Sequence, residues 1–518
     1  MKSGKQKVIK DVRFRARLES GWRRGIGLMG LALAVAIVSP AQEGQASPDA
    51  VKFTSLFSFD GTDGQGPTLN LVQGFDGNLY GTAGGVGSSN PYCTPICGVL
   101  FKLTPDGVET TVHDFCSHSS CADGSDPGYA QVLALGTDGS LYGTTSFGGP
   151  SGTTVFRLTP SGELKTIYYF GAQGSYYDGV VRGADGSFYG VTPGGGNSNP
   201  SVCASWSPDG VTCGTAYKIT PQGEFSVIYN FCSQPNCADG GVPLTQLTAG
   251  GDGELYGMTV DGGANSSGTV FKLTPGGKLT VLQNLGGTNG GNCFDPCAPL
   301  VYADNGNVYG MTQGGGANGA GTFFEITPAG TFTTLYSFCS QANCTDGANP
   351  LGFVHGNNGN FYGTTSSDAT YSTCGTLFEI TKEGKLTTLH TFSGTDGCNP
   401  SGVMQHTNGS FYGETDLGGT SNNCGGPYCG SLFALSVGLK PFVETVESSG
   451  KVGSIVQILG DDLTSATGVT FNGTAAAFTV ESATLISATV PAGATTGFVE
   501  VTTSSRTLKS NVKFHVRP

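Results

Sequence analysis

The chain reads as an all-β protein: a seven-bladed β-propeller closed by an N-terminal strand, followed by an immunoglobulin-like β-sandwich. Three observations predict this. One block recurs seven times between residues 52 and 436; the last block lacks a strand that the early residues can supply; and residues 441–517 carry about seven short alternating segments outside the repeat. Tandem blocks of this length mark rings or solenoids, because no block buries its faces alone.

The first element is a leader. Residues 1–24 hold nine Lys or Arg against two acids, and the uncharged run 25–38 follows. With small residues at Ser39 and Ala41, or Gly44 and Ala46, this is a signal peptide's layout, so residues 1–46 are expected to be a signal peptide and short linker. The run is too short to span a bilayer comfortably, and no second apolar run is long enough to do so. The mature chain is therefore expected to be exported (periplasmic, cell-surface or extracellular) with no transmembrane segment. Removing residues 1–41 leaves 16 basic against 36 acidic residues, a net charge of −20. Such a surface repels phosphate backbones and sets nucleic acid aside as a partner. Disorder is set aside too, since only 12% of residues are charged and 10% are aromatic.

Residues 47–438 hold the repeat. Its strongest element is an Asp-Gly or Asn-Gly turn, one residue, an apolar residue, then Tyr-Gly, as in Asp76-Gly77-Asn78-Leu79-Tyr80-Gly81. The tyrosines Tyr80, Tyr142, Tyr189, Tyr256, Tyr309, Tyr362 and Tyr412 stand 47 to 67 residues apart. Asp-Gly and Asn-Gly supply the positive φ of a two-residue hairpin, so a first and a second strand flank each turn. An alternating segment ending in Thr-Pro-x-Gly is the third strand, and a further one, such as Thr333 to Phe338, is the fourth. Four antiparallel strands per block make a propeller blade. The seventh block stops after its third strand at Ser436, whereas the early segment Lys52 to Phe59 is an orphan fourth strand, and a ring accounts for that complementary shortage. With Trp206 the only tryptophan after the leader, a WD repeat is excluded.

All 16 cysteines fall in the second-to-third and fourth-to-next-first connections, which emerge on one face of such a meander. An even number in an exported chain favours disulfides. The close pairs are Cys93/Cys97, Cys116/Cys121, Cys203/Cys213, Cys232/Cys237, Cys293/Cys297, Cys339/Cys344 and Cys424/Cys429, and Cys374 is expected to join Cys398. No pair has the two-residue gap of a zinc site. His118, inside one pair, reads as a solvated loop residue. The other face carries only tight turns.

Leu-Tyr-Gly-Thr-Thr, a Gly-Gly loop, Gly-Thr-Val-Phe-Lys-Leu-Thr-Pro and a later Asp-Gly-x-x-Pro, clearest in residues 141–160 and 255–275, resemble the GloVer (choice-of-anchor) tandem repeat of bacterial exported proteins. The match departs in the third block, where Val191 replaces a threonine, and in the fifth, where Asp-Gly is lost around Cys293 and Cys297. The resemblance implies export, often to the surface, and supplies no catalytic residues. Residues 439–518 resemble an IPT/TIG domain through Gly453, Val456, Ile458, Gly460, Val469, Phe471, Asn472, Gly473, Pro491, Gly497 and Val501. Six basic and six acidic residues in 440–518 give a DNA-binding role no electrostatic support.

Six blades place an Asp-Gly in the fourth-to-first loop: Asp63, Asp123, Asp178, Asp239, Asp346 and Asp396. A ring of carboxylates there would take Ca²⁺ or a polyhydroxylated ligand; the competing reading has each Asp cap its own turn. The Gly-rich loops lack the Gly-Lys-Ser/Thr of a phosphate cradle. His113 and His390 replace strand tyrosines and read as packing variants. No catalytic residue and no other cofactor is assigned. The reading is an exported non-catalytic binding or scaffold protein whose cysteine-rich loops hold a glycan or protein ligand; the alternative is a propeller hydrolase or lyase acting on polysaccharide, with paired acids across the channel.

Overall fold

The computed structural model describes residues 51–67, 71–87, 97–127, 133–149, 152–171, 179–203, 212–291, 298–366, 374–421, 423–424 and 429–517. The expected leader, Asp178, Cys93, Cys293 and Cys297 lie outside them. The described chain is all-β, built largely of four-stranded antiparallel sheets. One sheet illustrates the repeat: Thr248–Ala249, Leu255–Thr259, Thr269–Leu273 and Leu279–Asn284 pair in sequence order. The first strand of most sheets is two residues long, and reaches eight only at Ala348–His355 and Cys398–Gln405.

The recurring motif has a packing cause. The glycine of each Tyr-Gly lies beneath an aromatic ring of the third strand: a methyl group on Gly257 would stand 2.6 Å from Phe271 Cζ, and Phe101, Phe156 and Phe378 cover Gly81, Gly143 and Gly363 in the same way. The tyrosine hydroxyl returns to its own hairpin turn, as Tyr256 donates to Asp252 at 2.7 Å and Tyr189 to Asp185 at 2.8 Å. Its ring faces the next sheet: Tyr142 stacks on Phe188 with centroids 4.0 Å apart, and Tyr362 lies 4.1 Å from Phe411. The core therefore sits between consecutive sheets, where a tyrosine such as Tyr362 exchanges water for an aromatic neighbour and keeps its hydroxyl paired. The threonines that follow pair across strands, as in Thr145 with Thr154 at 2.7 Å and Thr312 with Thr322 at 2.8 Å.

The two ends of the repeat region meet. Lys52–Ser58 pairs antiparallel with Ser431–Ser436, Lys52 opposite Ser436 and Ser58 opposite Ser431, beside Phe411–Leu417 and Cys398–Gln405. The chain leaving this early strand repeats the bonds that other fourth strands make with their own sheets. Phe59 N donates to Gly430 O at 3.2 Å, as Phe115 does to Gly98, Phe231 to Gly214 and Phe338 to Gly321. On the turn side, Gln73 and Thr407 exchange hydrogen bonds of 2.9 and 3.0 Å between the first and last sheets.

The C-terminal segment is a sandwich. One sheet holds Glu444–Thr445, Ile455–Leu459, Leu485–Thr489 and Phe478–Val480; the other holds Thr474–Ala476, Ala466–Phe471, Val499–Thr503 and Thr507–Lys509. Val456, Ile458, Phe471, Ile486, Val501 and Phe514 fill the space between them. This sandwich lies on the hairpin turns of the repeat region. Thr484 Oγ1 donates to Phe75 O (2.6 Å), Arg517 Nη2 to Ala184 O (2.7 Å), Asn357 Nδ2 to Lys440 O (2.8 Å) and Phe442 N to Thr407 O (3.0 Å). The face that sequence assigns only tight turns is thus the platform for the second domain.

Candidate functional site

The opposite side is made of long connections that lock one another. Fourth-to-first loops bond backward to their own sheets: Asp126 N to Cys97 O at 2.7 Å, Val242 N to Cys213 O at 2.7 Å, Asn399 N to Cys374 O at 3.0 Å. The same loops bond forward to the Gly-Gly loop of the next sheet, Cys121 O receiving Gly149 N at 2.7 Å and Cys237 O receiving Gly263 N at 2.9 Å. Both classes of cysteine-bearing loop are therefore neighbours.

Disulfides join Cys116 to Cys121, Cys203 to Cys213, Cys232 to Cys237, Cys339 to Cys344, Cys374 to Cys398 and Cys424 to Cys429. Cys97 is also disulfide-bonded. Among the described residues the one cluster of ligand-type atoms is the sulfurs of Cys203, Cys213 and Cys232, within 4.8 Å of one another. All three belong to disulfides and offer no thiolate to a metal.

The described aspartates accept hydrogen bonds within their own loops, although Asp123 Oδ1 is buried without a partner. Asp239 Oδ2 accepts from the Tyr229 hydroxyl (2.7 Å), Ser233 N (2.8 Å) and Ser233 Oγ (2.8 Å), while Oδ1 accepts from Gln234 N (3.1 Å). Asp346 repeats this with Tyr336, Ser340 and Gln341. In two loops histidine takes the tyrosine's place: His113 Nε2 reaches Asp123 at 3.0 Å and His390 Nε2 reaches Asp396 at 2.8 Å. Asp63 accepts from Asp60 N at 2.8 Å. Among the described residues no three carboxylates converge. The exposed His118 ring approaches Asp123 at 3.8 Å.

In Asp123, Asp346 and Asp396 these bonds lower the carboxyl's pKa. Burial raises Asp123, but hydrogen bonds from His113 and Ser117 outweigh it and hold the group down at about 2. Asp346 and Asp396 are also lowered: burial opposes, while Tyr336 and Ser340, or Ser393 and His390, prevail. A carboxyl depressed in the folded state stabilises it above the unfolded pKa, and that contribution fades as pH falls from the ordinary 3.8 to about 2. Asp123→Asn is expected to cost about 1–2 kcal/mol at neutral pH, with the gap to the unaltered protein closing by pH ~2. Thermal unfolding of both proteins across that range checks this, and a gap independent of pH would refute it.

Two features escaped sequence reasoning. The fifth repeat has not lost its turn, because Gly290 (φ 93°) lies against Thr312 as Gly240 (φ 87°) lies against Thr259. Asn289-Gly290 stands in for Asp-Gly, upstream of the cysteines, and the Asn-for-Asp exchange already seen in the hairpins was the available signal. The tyrosine–aspartate bond was hidden because its partners lie ten residues apart on a strand and a loop.

The Gloeobacter/Verrucomicrobia repeat model matches residues 45–213 and 203–433, and the IPT/TIG domain model matches 441–516. No curated protein matches the chain. Among solved structures, a fungal alcohol oxidase of the AA5 family in complex with copper is 11% identical with a TM-score of 0.49, covering 89% of this chain and 98% of its own. A putative gluconolactonase is 11% identical (TM-score 0.36, 76% and 93% covered), and a putative oxidoreductase (glucose dehydrogenase) from Thermus thermophilus is 15% identical (TM-score 0.36, 60% and 98% covered). Likeness at this level carries no argument about chemistry. The recurring Tyr-Gly hairpins, the Asp-Gly loops and the matched span together establish that the chain belongs to the Gloeobacter/Verrucomicrobia repeat family and ends in an IPT/TIG domain.

Proposed function

We propose that this chain is an exported binding or scaffold protein of the cell envelope or extracellular space. Residues 47–438 form a closed seven-bladed β-propeller, and its disulfide-stapled loops present the surface for a glycan or protein ligand. Residues 439–518 are the sandwich docked on the other side, and residues 1–46 are the leader removed on export. The observation that carries the reading is the asymmetry of the two sides: one bears the sandwich on its turns, the other bears the described bridges. Closure is supported by the pairing of Lys52–Ser58 with Ser431–Ser436. The disulfides fit export to an oxidising compartment, and no helix among the described residues is long and apolar enough to cross a membrane.

Short stapled loops fix shape more than they add stability, since closing such loops contributes about 2–3 kcal/mol each. Glycan and protein arrays probed with the mature protein test the reading. Binding is expected, and is expected to disappear when the cysteine-bearing loops are exchanged for short turns. Binding that survives the exchange of every such loop would refute the assignment. Shortening of a bound polysaccharide in the same assay would establish the competing hydrolase or lyase reading.

A further inference from the structure

Where the C-terminal sandwich meets the second and third sheets, a cavity of about 540 Å³ opens, walled by Thr137, Arg182 and Asp185 on one side and by Glu447, Lys451 and Arg517 on the other. Its charges do not balance. Asp185 is already committed, to Lys218 Nζ at 2.7 Å and to the Tyr189 hydroxyl at 2.8 Å. Glu447 is buried and accepts Gln457 N at 2.9 Å. Arg517 gives Nη2 to Ala184 O at 2.7 Å, but its Nε is buried and finds no acceptor. Burial weighs against the Arg182 charge, which Glu447, Asp185 and Asp138 attract and Arg517 repels. Two guanidiniums and an ammonium thus face two carboxylates, one of them paired with Lys218, in a chain of net charge −13. A buried guanidinium N–H with no acceptor is unfavourable, and planar N–H groups of this kind match a carboxylate.

We infer that this junction is a second ligand site, separate from the stapled loops, that binds a sugar acid, its carboxylate held by Arg182 and Arg517. The rest of the lining argues for a sugar acid over a bare inorganic anion. Beyond the cations the wall offers hydroxyl and amide groups from Thr137, Ser454 and Gln457, and Ile455, 63% exposed, presents an apolar surface to one face of a sugar ring. The volume lies within the range of small-ligand sites. Both domains supply cations, Arg182 from the repeat region and Lys451 and Arg517 from the sandwich, so the ligand also ties the two together.

Calorimetry on the mature full chain, with a galacturonate disaccharide, its neutral galactose counterpart and inorganic phosphate as probes, tests the inference. The acidic disaccharide is expected to bind at least tenfold more tightly than either of the others. Arg182→Gln is expected to weaken it at least tenfold. Because that change also touches the domain junction, Glu447→Gln supplies the control: removing the competing carboxylate is expected to strengthen binding at least threefold, which a damaged junction would not do. No binding of the acidic disaccharide, equal binding of the neutral one, phosphate bound as tightly, or weaker binding by Glu447→Gln would each overturn the inference. Exchange of the stapled loops is expected to leave this binding unchanged, so its failure is distinguishable from failure of the loop-face reading.

Discussion

A chain shortened to begin at Asp60 is expected to lose about 5 kcal/mol or more of stability and to aggregate. The deleted strand Lys52–Ser58 is the whole edge of the last sheet. Phe53 stacks on His390 with centroids 3.7 Å apart and packs against Phe392 and Phe433, while Phe59, fully buried, meets Phe101 of the first sheet. Each buried phenylalanine is worth about 1.5–3 kcal/mol, against a net stability of roughly 5–15 kcal/mol for a folded domain. Deletion also leaves Ser431–Ser436 as an unpaired edge, which invites pairing with other chains. Urea unfolding and light scattering measure both effects, and a synthetic peptide of residues 47–60 added in trans is expected to reverse them. An unchanged unfolding midpoint in a monomeric truncated protein would refute the closed ring.

Gly257→Ala is expected to cost about 2–3 kcal/mol, although it adds one methyl group to a residue whose backbone conformation alanine can adopt. The cost is steric: the methyl would stand 2.6 Å from Phe271 Cζ and close to Leu247 Cδ2, both side chains being buried between strands. The same contact recurs beneath Phe101, Phe156 and Phe378, which is why glycine follows tyrosine in these repeats. Phe271→Leu alone leaves a cavity, but combined with Gly257→Ala it makes room for the methyl. The double variant is therefore expected to be more stable than the sum of the two single losses predicts. Strict additivity, or a neutral Gly257→Ala, would show that the ring is not held over the glycine.

The strand pattern was legible because its signals are local. Asp-Gly and Asn-Gly turns, alternation and Thr-Pro-x-Gly each act over fewer than ten residues, and the strands Leu255–Thr259, Thr269–Leu273 and Leu279–Asn284 fall where those signals place them. The first strands were less legible, since most pair over two residues and their remaining length runs as irregular chain into the loop side. At the stapled side, the cysteine pairs and the aspartates were found from spacing, but the hydrogen-bond partners of the aspartates were not. His113 and His390 looked like packing variants of Tyr229 and Tyr336; in the structure they are hydrogen-bond equivalents, each closing a loop through an aspartate. Spacing reports which residues recur, whereas a hydrogen bond depends on where two side chains end.

By itself the sequence determined the repeat, its four-strand unit, the family and the sandwich that follows, because turn chemistry and hydrophobic period are written residue by residue. Tertiary structure alone decided that the sandwich rests on the hairpin turns, that Asp123, Asp239, Asp346 and Asp396 accept from Tyr, His and Ser donors, and that Arg182 lines one cavity with Arg517 and Glu447 across 335 and 265 residues of chain. Contacts that distant depend on how whole sheets stack, and no local pattern carries that information.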